Sequence, residues 1–130
     1  MSAKILLVED DELMARMYQR FLAHGDFIVE LAADGQEGYE KAKVFKPDLI
    51  LLDIMMPRLN GLQALDKLKQ DPETKDFIVV MLTNLADKED AELAISKGAA
   101  RYLIKSDYDM EDITGVINEI LSELKNNKTI

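Results

Sequence analysis

The chain has 130 residues, about one domain's worth and enough to bury roughly two-thirds of its unfolded surface in a single core. Hydrophobic residues make up 48% and charged residues 32%, an ordinary globular mixture, and the lack of cysteine excludes disulfides and thiolate metal sites. A formal net charge of −9 disfavours direct binding to nucleic acid or an anionic membrane, and suits a protein that holds cations or meets basic partners.

The opening MSAKILLVEDDE sets acids directly behind a short apolar run. That run is too short for a signal peptide or a membrane span, so a reducing cytoplasm is the expected compartment. KILLV at 4–8 is the first predicted strand. A helix follows, with Leu13, Met17 and Phe21 stacked beside Met14, Tyr18 and Leu22 on one side. FIVEL at 27–31 is the second strand, Tyr39, Ala42 and Phe45 mark the second helix, and DLILLD at 48–53 is the third strand. Leu62, Leu65 and Leu68 mark the third helix, which QDPE at 70–73 ends. FIVVML at 77–82 and RYLI at 101–104 are the last strands. The helix between them, around 87–97, is weakly apolar, with only Ala91, Ala94 and Ile95 on a clear stripe. The final helix carries Ile113, Val116, Ile117, Ile120, Leu121 and Leu124, with Asp109 as its N-cap. One domain over 1–125 is expected, with residues 126–130 in a short polar tail that frays.

The strands are nearly continuous in apolar character, as strands covered on both faces should be. Their alternation with helices predicts a three-layer α/β/α fold, a doubly wound five-stranded parallel sheet in the order 2-1-3-4-5. Ligands in such sheets bind beyond the carboxyl ends of the strands. There the chain places Glu9–Asp10–Asp11–Glu12, then Asp53, then Thr83 and Asn84, and finally Lys105. Each has a bland reading: first-turn acids for a helix dipole, a turn cap before Pro57, a backbone-bonded hydroxyl, a solvated lysine. The strand order brings them to one place, which the bland readings leave unexplained. Glu9, Asp10 and Asp53 would crowd together, and three such carboxylates cannot all ionise without a cation. Mg²⁺ suits an oxygen donor set that leaves positions open to water or a phosphoryl oxygen. Asp53 ends an apolar run at a price, and as a carboxylate nucleophile it would have a purpose there, attacking phosphorus to become an aspartyl phosphate.

VEDD, DIMMPRLNG, LTN and YLIKS together resemble the landmarks of the receiver domain of two-component response regulators, CheY-like proteins. The resemblance covers essentially the whole chain, and Thr83 and Lys105 follow Asp53 by thirty and fifty-two residues, as in that family. It implies that Asp53 is the phosphoacceptor in a phosphorelay and that Glu9, Asp10, Asp53 and the backbone carbonyl of Met55 hold Mg²⁺, with Mn²⁺ as the alternative ion. Asp10 would bind the ion directly and Glu9 through water. Lys105 would contact the phosphoryl group, Thr83 would swing its hydroxyl onto it, and Tyr102 would turn inward as a second switch residue. Pro57 and Gly61 match the turn and loop after the acceptor. The implied partners are a histidine kinase or phosphotransfer protein and a downstream effector met through the fourth helix, fifth strand and fifth helix. The protein would be a monomer or a phosphorylation-dependent dimer, and a phosphoacceptor rather than a turnover enzyme.

The chain departs from that pattern in places. Ser106 stands where a proline follows the lysine; a non-proline cis bond costs about 2.5–4 kcal/mol, and the sequence leaves the Lys105–Ser106 peptide open between cis and trans. Asn84 is bulkier than the usual residue and would narrow access. Met55 and Leu85 are apolar where the family flanks attacking water, which predicts slow dephosphorylation. Two rival functions stand beside the receiver reading. A Mg²⁺-dependent Asp-nucleophile phosphohydrolase wants a second acid where Met55 stands, and a phosphorylation-independent interaction module would not need the site residues. His24 reads as a surface residue, GQEG at 35–38 lacks the dinucleotide-binding glycine pattern, and the seven methionines read as core filling.

Overall fold

The computed structural model describes residues 2–56 and 59–128, with side chains as far as Leu124. Strands β1 (Lys4–Val8), β2 (Ile28–Ala32), β3 (Leu49–Leu52), β4 (Ile78–Thr83) and β5 (Arg101–Ile104) alternate with helices. These are α1 (Glu12–His24), α2 (Gly35–Phe45), α3 (Gly61–Gln70), α4 (Lys88–Ser96) and α5 (Met110–Lys128). Every ladder is parallel and the strand order is β2-β1-β3-β4-β5, as the alternation predicts.

Successive strand residues face opposite sides of a sheet, so apolar residues at every position give two cores. Leu6, Val8, Ile50, Leu52, Val79 and Met81 meet Ala42, Ala64, Leu65, Leu68 and Ala94 of α2, α3 and α4. Ile5, Leu7, Leu49, Leu51, Val80 and Leu82 meet Tyr18 and Leu22 of α1, and Ile113, Ile117 and Ile120 of α5. Burying one such side chain fully stabilises the fold by about 1.5–3 kcal/mol. The residues of β3 and of β1 after Lys4 are at most 2% exposed. The acids that follow these two strands therefore leave from the best-anchored part of the sheet.

An Asp or Asn opens each helix, where it satisfies an otherwise unpaired N–H. Asp11 accepts from the Met14 N–H, Asp34 from Glu37 and Asp87 from Glu89. Asn60 and Gln63 form a reciprocal capping box. Asp109, the predicted cap of the last helix, exchanges hydrogen bonds with Asp112 at 2.8 and 3.1 Å.

Several expectations need correcting. Leu13 and Met17 are 73% and 52% exposed, whereas the buried stripe of α1 is Ala15, Tyr18 and Leu22. The six residues read as one side span too wide an arc, with Leu13 and Met17 about 130–170° from the stripe's centre. Ile95 is likewise 48% exposed, so Ala94 alone of the predicted α4 stripe is buried. β2 is an edge strand, and Ile28 at 51% exposure has no cover on its outer side. β3 stops at Leu52, leaving Asp53 in the turn beyond it. The Pro57 assignment lies outside the described residues. α5 continues to Lys128, through residues the sequence assigns partly to the tail. Among the described residues no helix is long and apolar enough to cross a membrane.

Candidate functional site

The register of the two central strands sets Val8 opposite Leu52, so Glu9 and Asp53 emerge side by side. Their backbones stay tied to the sheet, the Asp53 N–H donating to the Val8 carbonyl at 3.2 Å and the Glu9 N–H to Ala32 at 3.0 Å. Both side chains are buried, Glu9 4% and Asp53 6% exposed, while Asp10 stands on the exposed rim. One carboxylate oxygen from each of Glu9, Asp10 and Asp53 lies within 4.8 Å of the others. The sequence placed these three together, and the structure does too.

Lys105 reaches into the same space from the end of β5, its side chain only 8% exposed. Its ammonium donates to Asp53 Oδ2 at 2.9 Å, to Glu9 Oε1, and to the thioether Sδ of Met14 at 3.3 Å. The Met55 N–H donates to Asp53 Oδ1 at 3.1 Å, and the Asp11 N–H to Glu9 Oε2 at 3.1 Å. Every oxygen of the two buried carboxylates thus has a partner, which is what makes their burial tolerable. Burial pushes the Glu9 carboxyl above its usual value, against the pull of Lys105 and the Asp11 N–H. Burial also disfavours charge on Lys105, but the bonds to Glu9 and Asp53 outweigh it and hold the ammonium above its ordinary range.

The sequence reading asked for a divalent cation to balance the acids and kept Lys105 for a phosphoryl group. In the structure Lys105 bonds both buried acids, its single positive charge offsetting one of their two negative charges. The same cluster fits a hard divalent ion: its donors are carboxylate oxygens, one of them exposed to solvent, with no soft ligand among the three.

Thr83, at the end of β4, is fully buried, and its Oγ1 accepts from the Leu85 N–H at 3.2 Å. The Tyr102 hydroxyl donates to the Leu85 carbonyl at 2.6 Å, so both candidate switch residues grip one residue of the loop after β4. Tyr102 is half-buried against the α2–α3–α4 core. Asn84 and Ser106 are exposed, Leu85 is half-buried and Met55 is 60% exposed. The Lys105–Ser106 peptide is trans. His24 is exposed in the last turn of α1, as expected. Sequence reasoning missed Met14, whose spacing along α1 signals only core.

Residues 5–118 match the family model for the response regulator receiver domain. The chain belongs to that family. Among curated proteins, the response regulator ArlR of Staphylococcus aureus is 35% identical to this receiver domain over 118 residues, 91% of this chain and 52% of that protein. The chain thus spans about half the length of this relative. Solved structures share its architecture. A CheY-like receiver domain protein from Methanospirillum hungatei aligns with a TM-score of 0.88 at 27% identity, covering 98% of this chain and 99% of that one. The chemotaxis protein CheY4 of Vibrio cholerae aligns with a TM-score of 0.85 at 27% identity, covering 92% and 98%.

Proposed function

We propose that the receiver domain takes a phosphoryl group on Asp53. The observation that carries this is the Asp53 carboxylate itself: buried at a strand end, beside two further acids, with one oxygen on the Lys105 ammonium at 2.9 Å. An Asp53 oxygen would attack phosphorus while the bond to the donor's leaving group breaks. That group, the imidazole of a phosphohistidine or the acetate of acetyl phosphate, departs with the electron pair. Glu9, Asp10, Asp53 and the Met55 carbonyl would hold Mg²⁺, or Mn²⁺ in its place, and a bound divalent ion would supply neutralisation of phosphoryl charge. Lys105 would add a second positive charge on the transferring group.

A histidine kinase or phosphotransfer protein is the proposed donor partner. The new oxygens on Asp53 would compete for Lys105 and offer Thr83 an acceptor, drawing its hydroxyl from the Leu85 N–H. Because Tyr102 holds the same Leu85, a shift at Thr83 would be felt at β5 and in the loop leading to α4. α4 is poorly fixed, with only Ala94 buried, and is the element most easily moved. Its face, with β5 and α5, is the proposed effector surface.

Incubation with acetyl phosphate and Mg²⁺, followed by intact mass, tests the reading. A gain of one phosphoryl is expected for the parent and none for Asp53→Asn. Equal labelling of both would overturn the assignment. No gain in either would favour the phosphorylation-independent module, and steady release of phosphate the hydrolase.

A further inference from the structure

The Lys105 ammonium has three N–H donors, and the structure gives each an acceptor: two carboxylates and the thioether of Met14 at 3.3 Å. The phosphoacceptor reading of the site gives Met14 no role. Its backbone is pinned, because its own N–H donates to the Asp11 side chain at 3.1 Å at the start of α1. The Asp11 N–H in turn donates to Glu9 Oε2, and Glu9 Oε1 accepts from Lys105. The four residues close a ring: Glu9, Asp11, Met14, Lys105 and back to Glu9. Adjacent Ala15 is buried in the core beside Tyr18 and Leu22, so the turn of helix carrying the sulfur is firmly seated.

We propose that Met14 is a positioning residue for phosphoryl transfer, its sulfur holding the Lys105 ammonium in line with Asp53. The consequence for transfer rests on the reading of Asp53 as phosphoacceptor; the contact itself does not. A thioether suits the task because it is neutral and soft. A hard divalent ion at the carboxylates takes oxygen and leaves sulfur alone. When such an ion or a phosphoryl group draws on Glu9 and Asp53, Lys105 loses anionic partners, and the Met14 acceptor is the one not competed for. A leucine would fill much the same space but offer no lone pair, leaving a buried N–H unpaired.

Two variants separate this from simple packing: Met14→Leu removes the acceptor, and Met14→Gln restores one. Acyl-phosphate formation from acetyl phosphate with Mg²⁺ is expected to slow about two- to tenfold in Met14→Leu, the range of one net hydrogen bond. In the metal-free protein, the Lys105 ¹⁵Nζ NMR signal should move and its ammonium protons exchange faster. Met14→Gln should recover both toward the parent. A Lys105 signal unmoved in Met14→Leu, a parent-like rate in that variant, or a Gln variant as slow as Leu would each overturn the proposal. Should the parent itself take no phosphoryl group, the functional reading of Asp53 falls, the positioning role falls with it, and the metal-free spectra still decide whether the sulfur holds the lysine.

Discussion

At Gly61 the chain returns from the loop after β3 so closely that a methyl group has nowhere to go. A Cβ there would stand 2.1 Å from the Asp53 carbonyl oxygen and 2.6 Å from Ile54 Cα, both backbone atoms. The Gly61 N–H donates to the Ile54 carbonyl at 3.0 Å, which holds the approach in place. Overpacking typically costs about 1–3 kcal/mol, and a clash with backbone belongs at the upper end or beyond. Gly61→Ala should therefore lower the unfolding free energy measured in urea by that amount and slow acyl-phosphate formation, since relief must come by displacing Asp53. Parent-like stability and rate in the variant would mean the loop yields freely and plays no part in placing the acid. Asp53 was legible in the sequence because an acid closing a leucine run contradicts its surroundings. The family resemblance marks the Gly61 position, but the steric need for glycine was not legible, since it arises from contact with a backbone eight residues earlier. Nor was Met14, because an apolar residue at helical spacing reads as core whether or not its sulfur also meets an ammonium.

Among the elements, strands were easier to read than helix faces. β1, β3 and β4 are apolar on both sides because helices cover both sides, and such runs have few other interpretations. α1 carries more apolar residues than its buried stripe can hold, and periodicity cannot say which of them faces the sheet. Ala15 is buried, while Leu13 is exposed. In α5 the pattern was clearer, and one position marks where the helix can be improved. Gly115 is exposed, and a Cβ added there meets nothing within 4 Å. Glycine inside a helix costs about 0.5–1 kcal/mol relative to alanine. Gly115→Ala should stabilise the chain by that amount, raising the melting temperature by roughly 2–5 °C. A neutral or lower melting temperature would show that this turn of α5 departs from regular helix in solution.

For the molecule as a whole, the net charge of −9 means that folding gathers an excess of acids, and acidification should first ease their mutual repulsion. Acids held by partners oppose that trend, and Asp71, at the C-cap of α3, is the clearest of them. The Tyr39 hydroxyl of α2 donates to its carboxylate, the Lys43 ammonium lies 2.9 Å away and the Glu73 N–H donates at 2.9 Å. Together these lower its pKa from 3.8 to about 2. A folded-state value below the unfolded one means that the proton binds the unfolded chain more readily. The contribution of Asp71 is then fully present above 3.8 and is lost as the pH falls through about 2. Asp71→Asn lacks that titration, so the parent's stability advantage over the variant should be constant near neutrality and shrink between those two values. Denaturant unfolding at a series of pH values measures the gap, and the Asp71 carboxyl ¹³C shift measures the pKa directly. A gap that persists unchanged to pH 2 would show the carboxyl to be an ordinary solvated acid and the Tyr39–Asp71–Lys43 tie between α2 and α3 to be without weight in solution.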